Sequence, residues 1–400
     1  MIPRLALFVA AVLAFPGQGS AQSQDDPRAQ LPRLLRNAYF GLDIGSLDTP
    51  LSDRQLEPGL SGATVQVPKL AVRALFFGHE FNRYVAFQVG YMRPLSYIHF
   101  TGINGRPLSD SHTVRTTFGT LTVKLRAPIG ARAHVYGETG YGLGSRTGFM
   151  LDGSTGVADA HYGSLVVGGG VDADLTRNWS LTAGVTVVPG RESIDQPHTT
   201  FISGGFRYTM RALPPEKVEA IRREAAVFPR QVVYAEISTG VGYGVNTFFN
   251  KRVPIFWGGN ARVDRGVAVH YEKNVFHARR LFSLDIGASA GTYRTLHLDD
   301  RFHTLSFYPL LRFTFMRTAA ADMYFAYSLA GPTWISGQIL DGYDTGRHFT
   351  FQDFMGLGFF LGRARHLNAG VKINHYSNGN IFTQNAGVKI PLTLSIGYAF

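Results

Sequence analysis

A histidine and a serine stand two residues apart near the end of this chain, at His375 and Ser377 in 373-INHYSNGNIFTQNAGVKIP-391. An aspartate, Asp353, precedes them in 349-FTFQDFMGLGFFLG-362. Asp, His and Ser are the residue types of a hydrolytic triad, in which serine attacks, histidine takes its proton and a carboxylate orients the imidazole. Residues two apart share a face only in an extended segment, so the chemistry depends on these segments being strands. Read by parity, Leu367, Ala369, Val371 and Ile373 form an apolar face that His375 and Ser377 continue, while Asn368, Gly370, Lys372 and Asn374 form a small or polar face. In the upstream segment Phe349, Phe351, Met355, Leu357, Phe359 and Leu361 form the apolar face, and Asp353 interrupts it. A charge on a lipid-facing strand face costs up to roughly 2–4 kcal/mol at the bilayer midplane and much less near the interfaces. The three polar residues therefore mark either chemistry or a barrel rim. A triad on the outside of a barrel would meet its substrate in the bilayer, which makes that substrate a lipid.

The rest of the sequence must supply such a barrel. The chain holds 46 Gly, 30 Phe and 18 Tyr, and its charged fraction of 17% is below the quarter or so usual in soluble domains. It opens with Met1-Ile-Pro-Arg4, an apolar run from Leu5 to Phe15 and Gly19-Ser20-Ala21. That is the layout of a secretory signal peptide over 1–21, with cleavage expected near Ala21; residues 22–34 read as a flexible lead-in. No later stretch is long and apolar enough for a spanning helix. With no cysteine, disulfides and thiolate metal sites are excluded. The net charge of +11 suits a phosphate-rich partner such as lipopolysaccharide, and an exported chain gives little reason to expect a nucleic acid. No metal or cofactor site is expected.

About eight segments between 36 and 212, and eight more between 231 and 400, alternate apolar with small or polar residues, as in 178-NWSLTAGVTVV-188 and 200-TFISGGFRYTM-210. This is the pattern of transmembrane β-strands. Between the sets, 213-LPPEKVEAIRREAAVFPR-230 is polar with helical spacing. The expected fold is all-β: two consecutive eight-stranded antiparallel barrels, over 35–212 and 231–400, joined by a periplasmic linker at 213–230. The alternative is a single sixteen-stranded, pore-forming barrel. Small barrels are filled by side chains and do not conduct. The strand 231–247 is expected to run through 240-GVGYG-244. Residues 388–400, read by parity, put Val388, Ile390 and Leu392 outward and Lys389 in the lumen, unless Pro391 marks a bulge. His270, Glu272 and His277 read as a polar filling of the barrel, with His277 past a turn. His161 and Ser164 fall on opposite faces and read as structural. The loops 98–112 and 341–348 read as exposed turns, and Arg262, Arg265, Lys273, Arg279 and Arg280 as rim charges that could meet lipid phosphates.

His375-Tyr376-Ser377-Asn378-Gly379, followed by Asn385-Ala386-Gly387, resembles the signature of the outer-membrane lipid A deacylases, the PagL-type 3-O-deacylase family. The resemblance covers about 231–400 and is strongest over the last 55 residues; the first half is similar to generic OmpA-type barrels. It implies hydrolysis of an ester-linked acyl chain of lipid A, with Ser377 as nucleophile, His375 as base and the backbone around Asn378, Gly379 and Asn380 as oxyanion donors. Two positions depart, one of them Asn380, where the family often has a glycine. Where the family carries a glutamate to orient the histidine, this chain has Lys389, which cannot accept the imidazole proton. Asp353 is the expected substitute acid; a backbone carbonyl or Asn385 is the alternative. The competing function is a non-catalytic structural or lipopolysaccharide-binding outer-membrane barrel.

Overall fold

The structure is a computed structural model that describes residues 26–400 except 224–227, 253–258, 279 and 383. The expected signal peptide lies outside the described residues. Two compact units emerge: Arg33–Ala212 with Asn380–Gln384, and Leu213–Gly379 with Asn385–Phe400 and the residues leading to Pro32.

The first unit is a ring of eight antiparallel strands: β1 (Ala38–Asp48), β2 (Leu70–Glu80), β3 (Val85–Pro94), β4 (His112–Pro128), β5 (Ala133–Thr147), β6 (Ala160–Asp174), β7 (Trp179–Val188) and β8 (Thr199–Thr209). Pairing of β1 with β8 closes it. Alternation decides what fills it. Small and polar residues turn inward and complete an ion-pair network, with Arg73 on Glu138 at 2.6 Å and Lys124 on Asp172 at 2.6 Å. Leu121, Leu165, Leu181 and Ile202 are left exposed on the outside, as a lipid-facing band requires. His161 Nδ1 meets Ser145 Oγ at 2.9 Å, whereas Ser164 Oγ donates to the Pro189 carbonyl, so His161 and Ser164 form no pair. The 98–112 loop departs from the exposed turn expected. Ile98, Phe100 and Ile103 are buried with Leu51, Val114, Leu151 and Val157 in a small apolar core of their own.

The second unit is a closed barrel of β9 (Gln231–Ser238), β10 (Ala261–Ala278), β11 (Phe282–Thr295), β12 (Arg301–Arg317), β13 (Ala321–Ile335), β14 (Phe349–Leu361), β15 (Leu367–Ser377) and β16 (Val388–Ala399). The chain therefore forms two eight-stranded rings, not one ring of sixteen. A helix α1 (Pro215–Arg223) precedes the second ring. The described part of the expected lead-in, residues 26–34, is anchored: Arg28 is buried and donates to the Phe228 carbonyl at 3.1 Å and to Asn274 Oδ1 at 3.2 Å. Burial would raise the Asp26 carboxyl, but hydrogen bonds from His277 and Arg28 outweigh it and hold it well below the usual carboxylate range.

The lumen of the second ring is filled. Arg312 sits between Glu272 and Asp285, Lys372 Nζ lies 2.5 Å from Glu236, and Tyr234 OH donates to Glu272 at 2.7 Å. A small cavity of about 30 Å³ remains among Tyr234, Glu272 and Arg312. His270 and Glu272 belong to this filling. His277 does too, but it lies within β10 and not past a turn, with its Nε2 3.5 Å from Asp26. Replacing Arg312 by methionine would leave two buried carboxylates without their cation, a loss of about 3–5 kcal/mol. We expect a clear fall in the thermal unfolding midpoint of the refolded barrel, with Arg312→Lys losing less.

Strand β9 stops at Ser238, earlier than its alternation suggests. Gly240 (φ 68°) and Gly242 (φ 86°) take left-handed backbone, which a ladder cannot continue, and helix α2 (Tyr243–Arg252) follows. The truncation lets β10 pair directly with β16 above the end of β9, Ala261 with Val388 and Arg262 with Lys389.

Candidate functional site

Strands β14 and β15 pair in register so that Asp353 stands opposite His375 and Phe351 opposite Ser377. Directly paired residues share a face, so Asp353, His375 and Ser377 lie together on the outer face. Leu357 and Leu367 of that face are exposed. His375 Nδ1 is 3.8 Å from Asp353 Oδ2, an ion-pair approach slightly longer than a hydrogen bond. Both residues are 4% exposed, which is unusual for polar groups on an outward face. Ser377 is half-buried at the strand end. One residue, Tyr376, separates it from His375 on the strand, which puts their backbones about 7 Å apart.

A bulge accounts for the burial of Asp353. On β13 the register steps from Ser328 opposite Phe354 to Gly331 opposite Gln352, so residues 329 and 330 together face Asp353 alone. Ala330 takes left-handed backbone at φ 50°. Its N–H, lost to the ladder, donates instead to Asp353 Oδ1 at 2.6 Å. Pro332, which cannot donate to a ladder, sits just beyond, where a bulge tolerates it. Asp353 thus has one oxygen on the bulge and the other toward His375.

Lys389 lies elsewhere than plain parity places it. On β15 the register passes from Lys372 opposite Thr393 to Asn374 opposite Ile390, so Pro391 and Leu392 together face Ile373. This second bulge, at the proline, reverses the parity of the strand above it. Val388 and Ile390 turn inward into the core beside Tyr376, while Leu394 and Ile396 below stay outward and exposed. Lys389, opposite His375, therefore shares the outer face with it and does not enter the lumen.

Beyond β15 the chain turns. The Asn378 N–H donates to Asn385 Oδ1 at 2.9 Å, and the buried Asn378 amide donates to the Thr345 carbonyl at 3.2 Å. Asn385 therefore ties down the turn, and the Asn378 N–H is engaged by it. Gly379 (φ 64°) and Asn380 (φ 59°) are both left-handed, and Asn380 is grouped with the first unit. A Cβ on Gly379 would meet only the Phe351 ring, at 3.9 Å, so the glycine serves backbone conformation, not space. Gly379→Val, with a β-branched residue disfavoured at positive φ, should cost about 1–3 kcal/mol, read as a lowered unfolding midpoint of the refolded barrel.

A search of curated proteins finds no match. Among solved structures, the outer membrane enzyme PagL aligns at 18% identity over 42% of this chain and 98% of its own, with a TM-score of 0.29. Neisserial surface protein A aligns at 15% over 43% and 97%, TM-score 0.30. The attachment invasion locus protein Ail of Yersinia pestis aligns at 14% over 43% and 99%, TM-score 0.27. By sequence, residues 262–399 match the family model of lipid A 3-O-deacylase (PagL), a span from the start of β10 to the end of β16 that contains Asp353, His375, Ser377 and Lys389.

Proposed function

We propose that the second barrel is a serine esterase that removes an ester-linked acyl chain from lipid A. The carrying observation is the juxtaposition of Asp353, His375 and Ser377 on one outward face, with the first two almost wholly buried. In this reading the chain is exported, its signal peptide is cleaved near Ala21, and both barrels lie in the bacterial outer membrane with 213–230 as a periplasmic linker. Substrate reaches the site laterally from the bilayer.

The chemistry needs no cofactor. His375, oriented through Nδ1 by Asp353, takes the Ser377 hydroxyl proton on Nε2 as Oγ attacks the acyl carbonyl. Asp353 stabilises the imidazolium that forms. With the Asn378 N–H held by Asn385, the N–H of Gly379 is the next backbone donor after Ser377, and it meets the developing oxyanion; such a donor is worth about 10²–10³ in rate. Collapse of the tetrahedral intermediate returns the proton to the sugar oxygen and leaves the acyl group on Ser377. Water, activated by the same histidine, then releases the fatty acid.

A second reading has its own observation. Asp353 also satisfies the bulge N–H of Ala330, a role that would keep a carboxylate there in a barrel that only binds lipopolysaccharide. Mass spectrometry of lipid A from cells with and without the chain separates the two. We expect the mass of one acyl chain to be lost; unaltered lipid A in cells holding the inserted, folded protein would favour the binding barrel.

A further inference from the structure

Four consecutive strands carry a row of polar residues at one level of the outer face. Asp353 on β14 stands opposite His375 on β15, His375 opposite Lys389 on β16, and Lys389 beside Arg262 on β10. Two local features build the outer half of the row. The Pro391–Leu392 bulge turns Lys389 outward, and the early end of β9 lets β10 bring Arg262 alongside it. With strands about 4.8 Å apart, Lys389 is one strand from His375 and Arg262 two.

These two cations are handled differently from those of the lumen. Arg312 and Lys372 each have carboxylate partners. Lys389 and Arg262 have none among the described residues; the Arg262 guanidinium lies over the Tyr243 ring at 5.7 Å. Adjacent like charges repel unless an anion lies between them. On a face turned to lipid, the anion must come from a lipid. Lysine is a point-charge phosphate binder and arginine a bidentate one.

We infer that Lys389 and Arg262 form a phosphate subsite that holds a phosphate group of the lipid substrate beside the His375–Ser377 centre. The inference rests on the deacylase reading and extends it. The lysine that occupies the family's acid position serves substrate selection, and the site favours phosphorylated over dephosphorylated saccharolipid. The competing source of the same chemistry is the headgroup of an ordinary anionic phospholipid.

The test uses the full chain carrying Ser377→Ala, refolded into nanodiscs of zwitterionic phospholipid, and titrates labelled lipid A with and without its phosphates. Binding is read without turnover, so the subsite is tested even if the chain hydrolyses nothing. We expect the phosphorylated form to bind at least about tenfold more tightly, the range of a charge-assisted contact. Adding Lys389→Gln and Arg262→Gln should bring the two affinities together, and Lys389→Arg should keep them apart. The proposal is overturned if the parent shows no preference or if the paired glutamines leave the preference intact. It is also overturned if the glutamines abolish binding of added phosphatidylglycerol while lipid A selectivity stands, which would assign the cations to bulk lipid. Absence of hydrolysis by the Ser377-intact chain would count separately, against the esterase and not against the subsite.

Discussion

Ser377→Ala should reduce lipid A deacylation by about 10³- to 10⁶-fold, the range seen when the nucleophile of a serine hydrolase is removed. Without Oγ there is no acyl-enzyme, and only binding and oxyanion contacts remain to accelerate attack by water. Ser377 is small, half-buried and the last residue of β15, so its loss should leave folding almost unchanged. Heat-dependent migration of the barrel on gels and its unfolding midpoint check this. His375→Gln should cost a similar factor, and the double substitution little more than either, because the two act as one unit. Additive losses would mean that the residues do not share a proton. Equal fatty-acid release from wild type and Ser377→Ala would remove the serine from the chemistry altogether.

The sequence made the strands legible because a membrane barrel imposes a two-residue period over long stretches. Trp179 to Val188 and Thr199 to Thr209 carry that period without interruption, and the structure has them as β7 and β8. It also placed Asp353 on the outward face, as it did His375, since no bulge shifts the parity between β14 and β15. What parity could not carry was any step of one residue. A bulge changes the count on a single strand and leaves no periodic trace. The one at 391–392 shows only as a proline, and it moves Lys389 to the opposite face. The one at 329–330 shows only as Pro332 two residues later, yet it buries Asp353. The glycines at 240 and 242 misled for a related reason. They fit an alternating pattern as small inward residues, but their backbone is left-handed and ends the strand, so residues 243–247 at the start of α2 mimic its continuation. Arg262 was visible as one basic residue among several; its place beside Lys389 needed the pairing of β10 with β16.

Asp353 is the residue on which the catalytic and structural readings make opposite forecasts. Its two oxygens are divided, Oδ1 on the Ala330 N–H at 2.6 Å and Oδ2 toward His375 at 3.8 Å. Asp353→Asn keeps an acceptor for the bulge and removes the charge that stabilises imidazolium. Turnover should fall by about 10²–10⁴-fold, the upper end being the loss for the corresponding change in a serine protease, while the unfolding midpoint stays close to wild type. Asp353→Ala should match that kinetic loss and also cost about 1–3 kcal/mol of stability, since a buried N–H is left without its acceptor. If the carboxylate only holds the bulge, Asp353→Asn should be nearly silent in both assays. A third variant tests the geometry directly. Lys389 flanks His375 from the opposite strand, so Lys389→Glu in the Asp353→Asn background returns a carboxylate to the imidazole from the other side. The turnover number should recover at least about tenfold, because orientation of the base is restored. KM for phosphorylated lipid A should rise, because the cation that meets the phosphate is gone. Recovery without that rise would support the triad and count against the phosphate subsite; a rise without recovery would do the reverse.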